Sequence, residues 1–266
     1  MSWPTLESLI TESNQPPKWL IKDFLYQNSI ICLAGVPGVG KSVLSYTAAI
    51  AVASGRPFLG LETTQGRVLY LDEENGPASQ PTYFKWAWRG LDCPPLEELA
   101  LSLRVGQNAM LSYNGPWTDL MLQEVRSFRP NLIIFDTATK CFRVKDENDN
   151  AEATRIMSSL SLIQAAADAS TTILILKHAR LVHDSRNEFP DRYKMRGASA
   201  WDGSSDGVMF HLADPGRPPA GLRPTHLIPD KTRAFGLRHR LNITASWTSP
   251  DPLDSGIKLF GHFQPE

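Results

Sequence analysis

The stretch Gly35-Val36-Pro37-Gly38-Val39-Gly40-Lys41-Ser42, GVPGVGKS, fits the pattern GxxxxGK[ST]. Its glycines let the backbone curl so that N–H groups converge on phosphate oxygens, and a helix starting there adds a dipole that favours anions. Lys41 is placed to reach the β- and γ-phosphates of ATP, and the Ser42 hydroxyl to take a position on Mg²⁺. Gly35 to Val43 are therefore the expected nucleotide-binding residues. A second stretch, LIIFDT, ends an apolar run with Asp136. A carboxylate there organises the hydrated Mg²⁺; the alternative is a strand-terminal Asp capping a turn. A third stretch, YLDEENG, ends another apolar run with Asp72, Glu73 and Glu74. Carboxylates this close raise one another's pKa in a dry pocket, so they do not all point inward. One is placed to face the γ-phosphate and orient or deprotonate water. The residues alone do not say which.

These groups need a scaffold that ends several strands at one level. SIICLAG (29–35) reads as a buried strand, followed by the helix KSVLSYTAAIAVASG (41–55) ending at Gly55. GRVLYLDEEN (66–75), PNLIIFDT (130–137), STTILILKH (170–178) and DGVMFHL (206–212) read as further strands. NAEATRIMSSLSLIQAAADA (150–169) has apolar residues at helical spacing. Strands alternating with helices predict an α/β fold with a mostly parallel central sheet flanked by helices. HLIPDKTRAFGLRHRLNITASW adds a strand, a turn and a strand, extending the sheet with antiparallel C-terminal strands. Residues 1–15 are expected as an N-terminal extension, 16–250 as the ATPase domain and 251–266 as a C-terminal tail.

With 266 residues, 42% hydrophobic and 21% charged, the chain is of ordinary globular composition and long enough for a substantial core. No run approaches the roughly 18 to 20 apolar residues a membrane helix needs, so no membrane partner is expected. No basic region precedes an apolar stretch at the N-terminus, which argues against a signal peptide. Cys32, Cys93 and Cys141 stand apart, outside any CxxC pairing. They point to a reducing cytoplasm rather than to disulfides or zinc. A net charge of −1 argues against a broad basic coat for nucleic acid and leaves room for local basic contacts.

The order GVPGVGKS, YLDEEN, LIIFDT resembles the RecA superfamily of P-loop NTPases. The AAA+ ATPases usually carry the catalytic acid directly after the metal-organising Asp, where this chain has Thr137. The RecA-type position for that acid, on the strand after the P-loop helix, matches Glu74. PPKWLIKDFL, DENDNAEATRI and RGASAWDGSSDGVMF are similar to the RepA-like branch, the hexameric replicative helicase ATPases of plasmids and phages. The likeness runs from about residue 16 to 245. The branch usually has His-His followed by Lys at the end of the fourth strand, whereas this chain reads LKHARL. His178 matches the second histidine, which senses the γ-phosphate in the family; a lone strand-end His is otherwise structural. Lys177 replaces the first.

The resemblance also implies that the loops after the third and fourth strands contact single-stranded DNA. Loop 139–150 carries Lys140, Arg143 and Lys145; loop 179–197 carries Arg180, Arg186, Arg192, Lys194 and Arg196. Interleaved acids, including Asp146, Glu147, Asp184, Glu188 and Asp191, fit plain solvated loops equally. YFKWAWRG (83–90) reads as a core or subunit-interface helix in preference to a base-stacking surface. Lys231 and Arg233, before Ala234, Phe235 and Gly236, resemble the Lys-x-Arg element that reaches a neighbouring subunit's γ-phosphate. A solvated hairpin turn and a DNA contact are the other readings. The expectation is an Mg²⁺-dependent ATPase acting as a homo-oligomer, a hexamer by resemblance, on single-stranded DNA. Its rivals are a regulatory or assembly switch of the KaiC or recombination-mediator kind, a P-loop small-molecule kinase, and an ATP-binding scaffold.

Overall fold

The computed structural model describes residues 4–13, 17–106, 116–167, 170–182, 192–195, 197–213, 224–233, 239–249, 251 and 255–263. Helix α1 (Leu6–Ser13) lies in the expected N-terminal extension, and β1 (Trp19–Ile21) pairs antiparallel with β2 (Leu25–Tyr26). Every residue of β3 (Ile30–Gly35) is buried, because the strand is covered on both faces; hence its unbroken apolar sequence. α2 (Lys41–Ser54) is buried almost all round and stops at Gly55, whose φ of 70° suits glycine. There follow β4 (Val68–Asp72), α3 (Gln80–Gly90), α4 (Leu96–Ser102), β5 (Leu103–Gly106), α5 (Pro116–Phe128), β6 (Leu132–Asp136) and α6 (Ala138–Cys141). α7 (Asn150–Ala167), β7 (Thr172–Val182), β8 (Arg192–Met195), α8 (Ser199–Ser204) and β9 (Gly207–Ala213) come next. β10 (Thr225–Thr232), β11 (Leu241–Trp247) and β12 (Ile257–Phe263) complete the order.

The main sheet runs β12-β11-β10-β9-β3-β7-β6-β4-β5. From β9 to β5 the strands are parallel, and β10, β11 and β12 join antiparallel. This is the expected α/β architecture. One face packs against α2, α3 and the β1–β2 ribbon, with Phe24, Tyr46, Ile50, Tyr70 and Leu176 in its core. The other face buries Val125, Phe135, Ile156, Leu160 and Trp201 beneath α5, α7 and α8. α7 therefore needs an apolar stripe, whereas α2, covered by β4, β6, α3 and α4, needs apolar residues nearly everywhere.

Two segments differ from the expectation. β7 continues past His178 to Val182 and pairs antiparallel with β8, Arg180 opposite Lys194 and Val182 opposite Arg192. Loop 179–197 thus starts and ends as a hairpin. Its Asp184, Arg186, Glu188, Asp191 and Arg196 lie outside the described residues, as do Ala234, Phe235 and Gly236. In the expected C-terminal tail, Ile257–Phe263 forms β12, paired along the whole of β11. Glycine permits its close approach to α3: a Cβ on Gly90 would lie 1.8 Å from the Ile257 carbonyl oxygen.

Candidate nucleotide site

Sheet register sets the site. Gly35 pairs with His178 of β7 on one side and His211 of β9 on the other, while Asp72 pairs with Asp136. The carboxyl ends of these strands finish at one level, beneath a cleft of about 320 Å³. Lys41, Ser42, Glu74, Asp136, Thr137 and His178 all line it. Five side chains singled out in the sequence are thereby brought together; Lys231 and Arg233 are not.

The phosphate loop turns through Gly38 (φ 77°) and Gly40 (φ 99°), conformations that favour glycine. A Cβ at Gly38 would meet nothing within 4 Å, and one at Gly35 would lie 2.6 Å from the His211 carbonyl oxygen. The first glycine keeps the loop open to a ligand and the second lets two strands close beneath it. Buried Lys41 donates from Nζ to the carbonyls of Gly35 (2.9 Å) and Val36 (3.2 Å). Burial lowers its pKa, and the carboxylates of Asp136 and Glu74 oppose that shift.

Asp136 is fully buried. Its Oδ2 accepts a hydrogen bond from the Tyr70 hydroxyl (2.9 Å), which also meets Ser45 Oγ at 2.6 Å. Its Oδ1 is buried without a hydrogen-bond partner among the described residues. Burial, then the nearby Asp72 carboxylate, pushes its pKa up to about 7; the Ser42 and Tyr70 hydroxyls pull it back. A buried carboxylate with one unengaged oxygen, close to a serine hydroxyl, suits a hard cation with oxygen ligands. Ser42 and Asp136 would hold Mg²⁺ here, with phosphate and water completing its shell.

The three consecutive acids separate by role. Asp72, 2% exposed, accepts from the Tyr46 hydroxyl, from Gln80 Nε2 (2.9 Å) and from the backbone N–H groups of Glu74 (3.2 Å) and Asn75 (3.0 Å). It is consumed in fixing the turn. The N–H groups of Glu73 and Glu74 both donate to the Asp136 carbonyl, at 2.7 and 3.0 Å, tying that turn to β6. Glu74 is the one of the three in the cleft. Its Oε2 lies 3.0 Å from Lys140 Nζ and 3.5 Å from Thr137 Oγ1. Lys140, expected on a DNA-facing loop, is thus paired with Glu74 at the rim of the site.

Strand alternation separates Lys177 from His178. His178 lines the cleft. Lys177 is buried on the opposite face with Nζ 4.2 Å over the Trp201 ring, a cation–π contact. Lys177 therefore belongs to the core and not to the cleft.

A second cavity of about 450 Å³ continues from the phosphate loop, sharing Pro37, Gly38, Gly40 and Val43 with the first. Trp86, Trp247, Ile243, Leu259, Thr225 and His211 wall it. His211 is held neutral, its pKa pushed down to about 3 by burial and then by Lys41, and its Nε2 lies 2.9 Å from Thr225 Oγ1. No local pattern signals this wall, because it is assembled from α3, β9, β10, β11 and β12. The stretches that hold Trp86, His211, Ile243 and Trp247 read in the sequence only as a helix and strands. In the Trp86 stretch Tyr83 stacks with Tyr46, Phe84 packs tilted against it, and Trp88 Nε1 donates to the Pro94 carbonyl at 2.7 Å. Those residues pack partly buried against the core, and Tyr83 also lines the phosphate cleft, while Trp86 meets Trp247 edge-on at 5.2 Å.

Lys231 and Arg233 lie at the other end of the sheet, where Lys231 is opposite Val208 and Thr232 opposite Gly207 at the start of β9. Lys231 Nζ donates to the carbonyls of Asp202 and Gly203, and Arg233 Nη2 to that of Gly203 at 2.6 Å. The pair caps the C-terminal end of α8, where cations are favoured. Roughly five strand residues at about 3.3 Å each separate this end from the phosphate loop, so neither side chain reaches its own cleft.

Among the described residues, no helix is long and apolar enough to cross a membrane. A family model described as an AAA domain matches residues 3–183. The matched stretch contains the phosphate loop, Glu74, Asp136 and His178, and ends before Lys231 and Arg233. No curated protein matches the chain.

Proposed function

The chain belongs to the AAA domain family and is an ATPase of the P-loop class; from that premise we propose a Mg²⁺-dependent homo-oligomeric motor, RepA-like and ring-forming, acting on single-stranded DNA. The observation that carries the hydrolytic reading is Glu74 in the turn just beyond β4, sharing one cleft with Lys41, Ser42 and Asp136. The triphosphate lies over the phosphate loop, and the base and ribose enter the cavity walled by Trp86 and Trp247. Glu74 takes the proton of a water whose oxygen attacks the γ-phosphorus. The bond to the β–γ bridging oxygen breaks, and ADP leaves with its electron pair. Lys41 and His178 bear on the charge of the transferring phosphoryl group. Mg²⁺, held by Ser42 and Asp136, would neutralise charge between the β- and γ-phosphates.

The oligomer is supported by Lys231 and Arg233, which are too far from their own cleft and suited to a neighbour's. Action on DNA is supported by Arg143 and Lys145, both exposed on the loop after β6. The capping of α8 by the Lys231–Arg233 pair favours a second reading, an ATP-driven switch without unwinding. Phosphate release measured with and without oligothymidylate, alongside the mass of the ATP-bound particle, separates the two. The motor requires stimulated turnover and a closed oligomer; an oligomer indifferent to the oligonucleotide is the switch. A monomer that hydrolyses ATP normally contradicts both.

A further inference from the structure

One oxygen of the Asp136 carboxylate is committed before any cation arrives. Tyr70 pairs with Ile134, so its ring shares a face of the sheet with Asp136, two residues further along β6, and reaches it on the diagonal. The Tyr70 hydroxyl donates to Asp136 Oδ2 at 2.9 Å, and Ser45 Oγ lies 2.6 Å from that hydroxyl. Ser45 stands one turn along α2 from Ser42 and also meets the Ser42 carbonyl at 2.9 Å. An ionised carboxylate only accepts, so the Tyr70 proton goes to ionised Asp136, and Ser45 donates its own to Tyr70, the nearer of its two partners. Asp136 Oδ1 has no hydrogen-bond partner among the described residues.

We propose that Tyr70 sets which cation the nucleotide site accepts: by engaging Oδ2 it leaves Asp136 one oxygen to offer, which favours Mg²⁺ over Ca²⁺. This rests on Ser42 and Asp136 being the residues that hold the metal. Tyr70 is fully buried and does not line the cleft, so it acts through Asp136, as a positioning residue. Mg²⁺ demands a near-octahedral shell at short distances, whereas Ca²⁺ takes more oxygens and readily accepts both from one carboxylate. A carboxylate free to turn and present both oxygens loses that discrimination.

Packing makes the arrangement stiff. Tyr70 stacks on Tyr46 at 4.9 Å and meets Phe84 edge-on at 5.5 Å, and Tyr70, Ser45 and Tyr46 are all buried. Tyr46 in turn donates to Asp72, whose carboxylate takes the N–H groups of Glu74 and Asn75. The ring therefore stays in place when its hydroxyl is removed, and Tyr70→Phe deletes one hydrogen bond to Asp136 while keeping the shape of the core. Partners one step behind a metal ligand typically change metal affinity by about 10- to 100-fold when lost. Tyr70 belongs at the lower end of that range, because the Asp136 carbonyl keeps its bonds from the N–H groups of Glu73 and Glu74.

The test is the affinity for AMP-PNP, a non-hydrolysable ATP analogue, measured by calorimetry in EDTA, in Mg²⁺ and in Ca²⁺. The proteins compared are wild type, Tyr70→Phe and Ser45→Ala. In EDTA all should agree within about twofold, since the phosphate loop is untouched. Tyr70→Phe should bind about tenfold more weakly with Mg²⁺ and at most about threefold more weakly with Ca²⁺, so the preference for Mg²⁺ falls. Ser45→Ala removes the support behind the Tyr70 hydroxyl and should lose about threefold with Mg²⁺, and less with Ca²⁺. It carries the test alone if Tyr70→Phe does not fold. The proposal is overturned by an unchanged Mg²⁺ affinity, by equal losses with the two cations, or by a matching loss in EDTA, the mark of a merely structural role. Wild-type protein that binds AMP-PNP equally in EDTA and Mg²⁺ is a different failure, that of the metal assignment on which the proposal stands.

Discussion

Asp136 and Glu74 divide the acid chemistry of the site by burial. Glu74 stands at the lip, where water and a γ-phosphate can meet it. Asp136 is buried beside Asp72, with its pKa raised from 3.8 to about 7, which makes its ionised form a burden on the nucleotide-free protein. Folding holds this proton more tightly than the unfolded chain does. The associated stability is therefore fully present below pH 3.8 and is lost progressively until pH has risen through about 7. Asp136→Asn should then melt several degrees above wild type at pH 8 without nucleotide, with the difference shrinking towards pH 4 in thermal unfolding. The same variant should lose the further stabilisation that Mg²⁺ adds to bound ATP. A variant less stable than wild type at pH 8 would show that the carboxylate is needed structurally.

The elements meet the site at two joints, one legible in the sequence and one not. β3, α2, β4, β6, α7, β7 and β9 announce themselves as buried apolar runs or helical stripes, and polar residues at the start of α2, within β7 and at or just past the ends of β4 and β6 line the cleft. β12 does not: it follows the Pro- and Asp-rich SPDPLDSG, and its pattern gains meaning only once β11 lies beside it. The Lys140–Glu74 contact joins the ends of two strands, so no local periodicity encodes it. The role of Asp72 was hidden likewise, because its partners Tyr46 and Gln80 come from α2 and α3. At the second joint, α3 packs against β12 through Gly90, where an added Cβ would strike the Ile257 backbone. Gly90→Ala should cost about 1–3 kcal/mol, read as a fall in Tm. It should also weaken ATP binding while sparing tripolyphosphate, since Ile257 and Leu259 line the cavity given to the base and not the phosphate cleft. Equal loss for both ligands would place the base elsewhere.

At the scale of the whole molecule, the cleft residues gather at the carboxyl ends of the central parallel strands. Arg233 lies at the opposite end of the strands, bonded to α8. If it serves a neighbour, mixing Arg233→Ala subunits with Glu74→Gln subunits should recover turnover that neither has alone. Inactivity at every mixing ratio would leave Arg233 as a cap for α8. All of this stands on Mg·ATP hydrolysis with Glu74 as base. The direct measurement is Mg·ATP affinity and single-turnover phosphate release for Glu74→Gln beside wild type. Affinity should stay within about threefold while release slows by roughly 10² to 10⁴. Release at the wild-type rate with intact binding would contradict the account.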